Sequence, residues 1–136
     1  MYKKILVPMA LDHGLSQHTL QVARALSAEG TEIIALHVYE MPQGSVSAYL
    51  DKDVVAEGFR AARNLLREKV SDIDGIKCDI IKGHTARTII DYASDNDVEC
   101  IVIGSHKPGL SDYFLGSTAS RVVRHAACAV HVHRRP

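Results

Sequence analysis

Four stretches of the chain are apolar almost without interruption. They are "KILVPM" (Lys4–Met9), "EIIALHVYE" (Glu32–Glu40), "KCDIIKG" (Lys77–Gly83) and "CIVIGS" (Cys100–Ser105). Their density of β-branched side chains favours strand over helix. Because polar residues do not alternate through them, both faces of each strand must be covered. A fifth stretch, "AVHVHR" (Ala129–Arg134), alternates more. Between these stretches the period becomes helical. Ser16 to Ala28 puts Leu20, Ala23 and Leu26 on one side, and Gly30 reads as its stop. Asp51 to Val70 repeats apolar residues at Val54, Val55, Phe59, Ala62, Leu65, Leu66 and Val70. Thr85 to Ser94 carries Ile89, Ile90 and Ala93, and Ser117 to Ala127 carries Ala119, Val122, Val123 and Ala126. The order β-α-β-α-β-α-β-α-β predicts an α/β fold, one open parallel sheet with helices on both faces and right-handed crossovers. Met41–Tyr49 is the loosest segment and is expected to be mobile.

A chain of 136 residues, 46% hydrophobic, suits one domain able to bury a core without staples. Its 16 basic and 16 acidic residues balance, which argues against a general nucleic-acid or membrane-surface binder. The 8 histidines move the net charge upward below about pH 6.5. No apolar run approaches the ~20 residues of a membrane span. The start, "MYKKILVPMA", is soon followed by Asp12 and His13, so a signal peptide is not expected. Cys78, Cys100 and Cys128 are far apart and form no CxxC pair. They read as reduced thiols in a cytoplasmic protein, not as a disulfide or zinc framework.

The stretch "GSHKPGLSDYFLGST" (Gly104–Thr118) is long for a connection in so short a chain, and long connections are often functional. In open parallel sheets, ligands sit beyond the carboxyl ends of the strands, where successive crossovers diverge. With strand one central, that place lies between strands one and four, where the loops Pro8–Gly14 and Gly104–Gly116 meet. The long loop ends in Gly116-Ser117-Thr118 as a helix begins. A helix start offers unpaired N–H groups and the positive end of a dipole, Gly116 allows close approach, and two hydroxyls add donors. That combination suits phosphate. Gly-Ser before a helix is also an ordinary cap; the length and position of the loop favour the anion site. There is no GxxxxGK[ST] and no GxGxxG after strand one, so a nucleotide must be held in another way.

"KILVPM", "LHV" (Leu36–Val38), "KGHTARTIIDYA" and above all "IVIGSHKPGLSDYFLGSTASRVVRHAACAVHV" resemble the universal stress protein family, in matching order over nearly the whole chain. The resemblance implies a five-stranded parallel sheet ordered 3-2-1-4-5, one domain over residues 1–136, and, in many members, ATP held through Gly-x2-Gly-x9-Gly-[Ser/Thr]. Gly104 and Gly116-Ser117 fit the ends of that motif. Lys107 stands where its second glycine belongs, and the interval is one residue shorter. "SHKPG…YFLGST" resembles a subgroup of small stress proteins with "SHRP…YLLGS". At strand one, nucleotide-binding members usually carry Asp two residues after the proline; here Pro8 is followed by Ala10, and the nearest acid is Asp12. The resemblance also implies that the Val38 backbone meets adenine and that Gly83 borders the ribose. The nucleotide-binding set is then Pro8, Asp12, Val38, Gly83, Gly104, Ser105, His106, Lys107, Gly109, Gly116, Ser117 and Thr118, with no catalytic residue and no metal ligand.

Several of these residues have plainer readings. Asp12 equally suits a turn or a helix cap, Thr85 suits the cap of the helix after Gly83, and His106 and Lys107 suit either a solvated tip or a phosphate contact. His125 complements a helix C-terminus. His131 and His133 share a strand face but lack further ligands, so no structural metal is expected. Ser111 and Asp112 lack a G-x-S-x-G elbow. The expected cofactor is ATP or AMP, with or without Mg²⁺. No acidic pair for Mg²⁺ and no water-activating base is evident, so any hydrolysis is expected to be slow. The expected function is a cytoplasmic, nucleotide-dependent stress regulator or sensor, homodimeric through Ala129–Arg134. The alternative is a dimeric interaction module of the same fold that binds no nucleotide, which Ala10 and Lys107 favour.

Overall fold

The computed structural model describes residues 1–11, 15–40, 52–105 and 115–134. Five strands, β1 (Tyr2–Pro8), β2 (Ser27–Tyr39), β3 (Ile76–Lys82), β4 (Cys100–Gly104) and β5 (Ala129–His133), alternate with four helices, α1 (Leu15–Ala25), α2 (Lys52–Val70), α3 (Thr85–Asp95) and α4 (Ser117–His125). All the strand pairs are parallel, in the order β3-β2-β1-β4-β5. The expected segment Met41–Tyr49 lies outside the described residues.

The apolar runs are continuous because each strand feeds two cores. Ile5, Val7 and Met9 of the first run join Ile33, Ala35, Cys100 and Val102 in one cluster, with Leu20 and Ala23 of α1 and Leu66 and Val70 of α2. Leu6 joins Ile34, Leu36, Val38, Ile101 and Ile103 in the other, with Ile89 and Ala93 of α3 and Ala119 and Val122 of α4. Successive side chains go to opposite faces, so a strand buried on both sides has no polar position to spare. On α2 the repeat overstates burial: Leu66 and Val70 are buried, while Val54 and Leu65 are exposed.

The first helix is shorter than its pattern suggests. It ends at Ala25, and Gly30 does not stop it; Gly30 lies inside β2 with φ of 86°. The pairing slips there, from Tyr2↔Ser27 to Lys4↔Glu32, so β2 carries extra residues opposite Lys3. Glycine adopts this left-handed backbone without steric cost. Thr31 repairs the ladder: its hydroxyl donates to the Tyr2 carbonyl over 2.6 Å and accepts from the Ala28 N–H over 2.9 Å.

At the other end of α3, Asp97 takes a left-handed φ of 56°. The Val98 N–H then reaches back to the Ala93 carbonyl over 2.9 Å, and buried Val98 packs under the helix end. This is the six-to-one closure of a Schellman turn, a place usually held by glycine.

Candidate functional site

The sheet divides at its carboxyl edge. β1 stays paired with β2 as far as Pro8↔Leu36, and β4 with β5 as far as Gly104↔His133. The β1–β4 ladder, in contrast, ends at Leu6↔Ile101. Proline accounts for this. The Glu99 N–H donates to Lys4 O, so even-numbered residues of β1 face β4, and the Met9 N–H donates to Leu36 O, so odd ones face β2. Pro8 therefore turns toward β4 the nitrogen that has no hydrogen to give. Beyond it, Met9 O meets His37 Nδ1 at 2.7 Å, a partner from β2 that no local spacing announced.

Across this division stand Gly104 and the start of α4. Among the described residues, a Cβ built on Gly104 would meet no atom within 4 Å. Ser105 is buried, and its N–H donates to the His133 carbonyl over 2.9 Å. Its own carbonyl accepts the Gly116 N–H over 2.6 Å. The two ends of the long loop are thus tied together at its base. Ser105 anchors the loop through its backbone.

Gly116 is the N-cap of α4, and its carbonyl accepts the first helical bond, from Ser120 N–H over 2.8 Å. The expected hydroxyl caps are therefore displaced by one: Ser117 and Thr118 are the first two residues of the helix. Among the described residues no side chain caps this start. A glycine there supplies none, which leaves the first-turn N–H groups directed out of the helix. Arg124 and His125 fill the last turn, where positive charge suits the dipole.

The start of α3 is arranged differently. Its N-cap is His84, not Thr85, and makes no side-chain cap bond. Thr85 is the first helical residue, and both its N–H and its hydroxyl donate to Glu40 Oε1, over 3.0 and 2.6 Å. Glu40, just past β2, is a site residue that the sequence reading did not single out. Nearby, the Val38 side chain is buried among apolar side chains. The Gly83 N–H donates to Tyr39 O over 3.1 Å, and any Cβ on Gly83 would collide with the Thr88 hydroxyl. That crowding is a structural reason for the glycine.

Past Gly104 the two histidines of β5 gain an unexpected neighbour. The rings of His18, on α1, and His133 stack at 5.8 Å and 18°. His133 Nε2 is buried without a hydrogen-bond partner among the described residues. Burial first, then the charges of His18 and His131, hold the His133 pKa below its ordinary value. No group of three metal-ligating side chains occurs among the described residues. The three cysteines are free, and burial chiefly pushes each thiol pKa up, away from reactive thiolate.

Pro8, Val38, Gly83, Gly104, Ser105, Gly116, Ser117 and Thr118 all lie along this one carboxyl edge, on strand ends, in the turns that follow them or, for the last three, at the start of α4. Asp12, His106, Lys107 and Gly109 lie outside the described residues. The division between β1 and β4 thus has the uncapped start of α4 on one side and the ends of β2 and β3 on the other.

The chain matches the universal stress protein family over residues 1–134. Universal stress protein G of Salmonella typhimurium is 31% identical, over 98% of this chain and 100% of that protein. The solved structure of universal stress protein UspA from Lactobacillus plantarum is 28% identical with a TM-score of 0.70, covering 98% of each chain. The universal stress protein from Archaeoglobus fulgidus in complex with dAMP is 21% identical with a TM-score of 0.60, over 96% of this chain and 97% of that one, and shares the fold.

Proposed function

The chain belongs to the universal stress protein family, and from that premise we propose that it binds an adenine nucleotide, ATP or AMP, in the crevice between β1 and β4. The single observation that carries this reading is the start of α4: an uncapped glycine N-cap tied to the end of β4 beside Gly104, whose Cβ position meets no described atom within 4 Å. Helix dipole and free N–H groups coincide there, which is the physical requirement for a phosphate. The dAMP complex of the Archaeoglobus fulgidus protein supports an adenine nucleotide on this fold. In this reading the Ser117 and Thr118 hydroxyls add donors and His106 and Lys107 reach the outer phosphates. The nucleoside lies over the Val38 backbone and Gly83, with Asp12 as its acidic contact. A divalent ion such as Mg²⁺ accompanies ATP through the phosphates.

The protein then acts as a cytoplasmic stress regulator or sensor whose state follows its bound nucleotide, with slow hydrolysis at most. It works as a homodimer of one-domain protomers, paired through β5. Calorimetric titration with ATP, AMP and adenosine tests the reading. Binding of ATP at least about tenfold tighter than adenosine is expected, since each phosphate contact is a charge-assisted hydrogen bond. Equal affinities would show that α4 takes no phosphate. Absence of all binding would favour the second reading, a dimeric interaction module without nucleotide, for which Ala10 in place of the usual aspartate speaks.

A further inference from the structure

The sheet ends in two outer strands, β3 and β5, and they are not alike. On β3 the Gly83 N–H donates to Tyr39 O, so odd-numbered residues face β2. The backbone groups of Ile76, Cys78, Ile80 and Lys82 therefore face outward. Such a row is a template for another strand. One of its donors is already taken by the chain itself: the Ile80 N–H donates to Asp79 Oδ1 over 2.9 Å. The same carboxylate is held from α3, where the Tyr92 hydroxyl donates to Asp79 Oδ2 over 3.0 Å. Burial first, then the hydrogen bond and charge of Asp79, push the Tyr92 pKa up to about 12, so the hydroxyl keeps its proton. β5 has no counterpart. Its outward residues are Val130 and Val132, and the strand Ala129–His133 carries neither a carboxylate nor a lysine.

We propose that Asp79, held in place by Tyr92, closes the β3 edge to a second copy of this chain and leaves β5 as the accessible edge of the sheet. The inference stands apart from the nucleotide reading. An incoming strand would have to set a carbonyl oxygen where Asp79 Oδ1 already accepts the Ile80 N–H. That oxygen would find no donor and would lie beside a carboxylate, and an unpaired polar group buried at a strand junction is costly. Lys77 and Lys82, on either side along β3, add the kind of charge that keeps an edge in water. The plainer role for the Asp79–Tyr92 bond is to tie α3 to β3. Loss of a mere tie would lower stability and would create no new association.

The test uses Asp79→Ala, Asp79→Asn and Tyr92→Phe, each made in the wild type and in Val132→Pro, whose β5 lacks an outward donor. Asparagine keeps an oxygen for the Ile80 N–H. Phenylalanine keeps the ring among its apolar neighbours and frees the carboxylate, so the test survives if Asp79→Ala does not fold. Circular dichroism checks the fold, sedimentation velocity over a concentration series reads association, and NMR reads hydrogen exchange at the Cys78 and Ile80 amides. Asp79→Ala is expected to self-associate at least about tenfold more tightly than its parent in both backgrounds, the scale of one hydrogen bond to a charged group. Its Cys78 and Ile80 amides should exchange fast when dilute and slowly once associated. Tyr92→Phe should show a smaller change of the same kind, and Asp79→Asn should stay within about threefold of its parent. Parent-like sedimentation of Asp79→Ala and Tyr92→Phe overturns the proposal. So does association that leaves the Cys78 and Ile80 amides fast, or an Asp79→Asn protein that associates as tightly as Asp79→Ala. An unchanged Tyr92→Phe protein beside an associating Asp79→Ala overturns the part given to Tyr92.

Discussion

The Gly116 N–H donates to the Ser105 carbonyl over 2.6 Å, and this one bond ties the end of β4 to the start of α4. Because Ser105 in turn donates to His133, the loop base is held by β5 as well. The position of the α4 start is therefore set by the sheet, whatever the loop above it does.

Gly116→Val is expected to abolish ATP binding and leave the fold intact. The branched side chain would stand where a phosphate must approach, while the N–H to Ser105 survives. Ser117→Ala should cost less, about 0.5–2 kcal/mol, because it removes one hydroxyl at the first helical position. Calorimetry reads the affinity, and circular dichroism checks that the helices remain. Retained tight binding by the valine variant would move the phosphate elsewhere.

Asp12→Ala should weaken ATP and AMP alike, since both share adenosine. A lost charge-assisted hydrogen bond is worth about 1.5–3 kcal/mol, roughly ten- to a hundredfold in affinity. An unchanged isotherm would leave the nucleoside to the backbone alone.

On β5, Ala129 N–H donates to Glu99 O and His133 O accepts from Ser105, so the odd residues face β4. The backbone of Val130 and Val132 is turned to the open edge of the sheet. An edge of this kind invites a second strand. Val132→Pro removes an outward donor without touching the internal ladder, so it should break a dimer and spare the monomer. Sedimentation at micromolar concentration decides: a monomeric wild type would exclude pairing through β5.

The depressed pKa of His133 makes a prediction about acid stability. The folded ring holds its proton less tightly than the unfolded one, whose pKa is near 6.5. Stability from this residue is then present above pH 6.5 and is lost as pH falls through the lower folded value. His133→Phe keeps a stackable ring and should flatten that part of the profile in urea melts taken from neutral to mildly acid pH. A profile unchanged by the substitution would show that the ring is solvated in both states.

Asp97 is exposed and left-handed where glycine would be at ease. Asp97→Gly is expected to raise stability by about 0.5–1 kcal/mol, and Asp97→Ala to lower it by a similar amount. Thermal melts of the two variants should bracket the wild type; a less stable glycine variant would contradict the argument.

Local pattern was enough to decide which elements form and in what order. β-branched runs fed on both faces have one stable setting, a covered parallel sheet, so "KILVPM" and "CIVIGS" could be read as central strands before any contact was known. Gly116 before a helical period likewise marked the α4 start, because the missing side chain is a property of the residue itself. The bounds of α1 were decided elsewhere. Residues up to Ala28 continue an acceptable helical pattern, but pairing with β1 through Thr31 and Tyr2 draws the chain into β2 from Ser27, and Gly30 serves the slip between them. Nor does any spacing join Glu40 to Thr85, 45 residues away, or His18 to His133. Periodicity reports how a residue sits within its own element, whereas these bonds depend on which element ends arrive at the same edge. That is set by the order of the strands and by their packing against the helices.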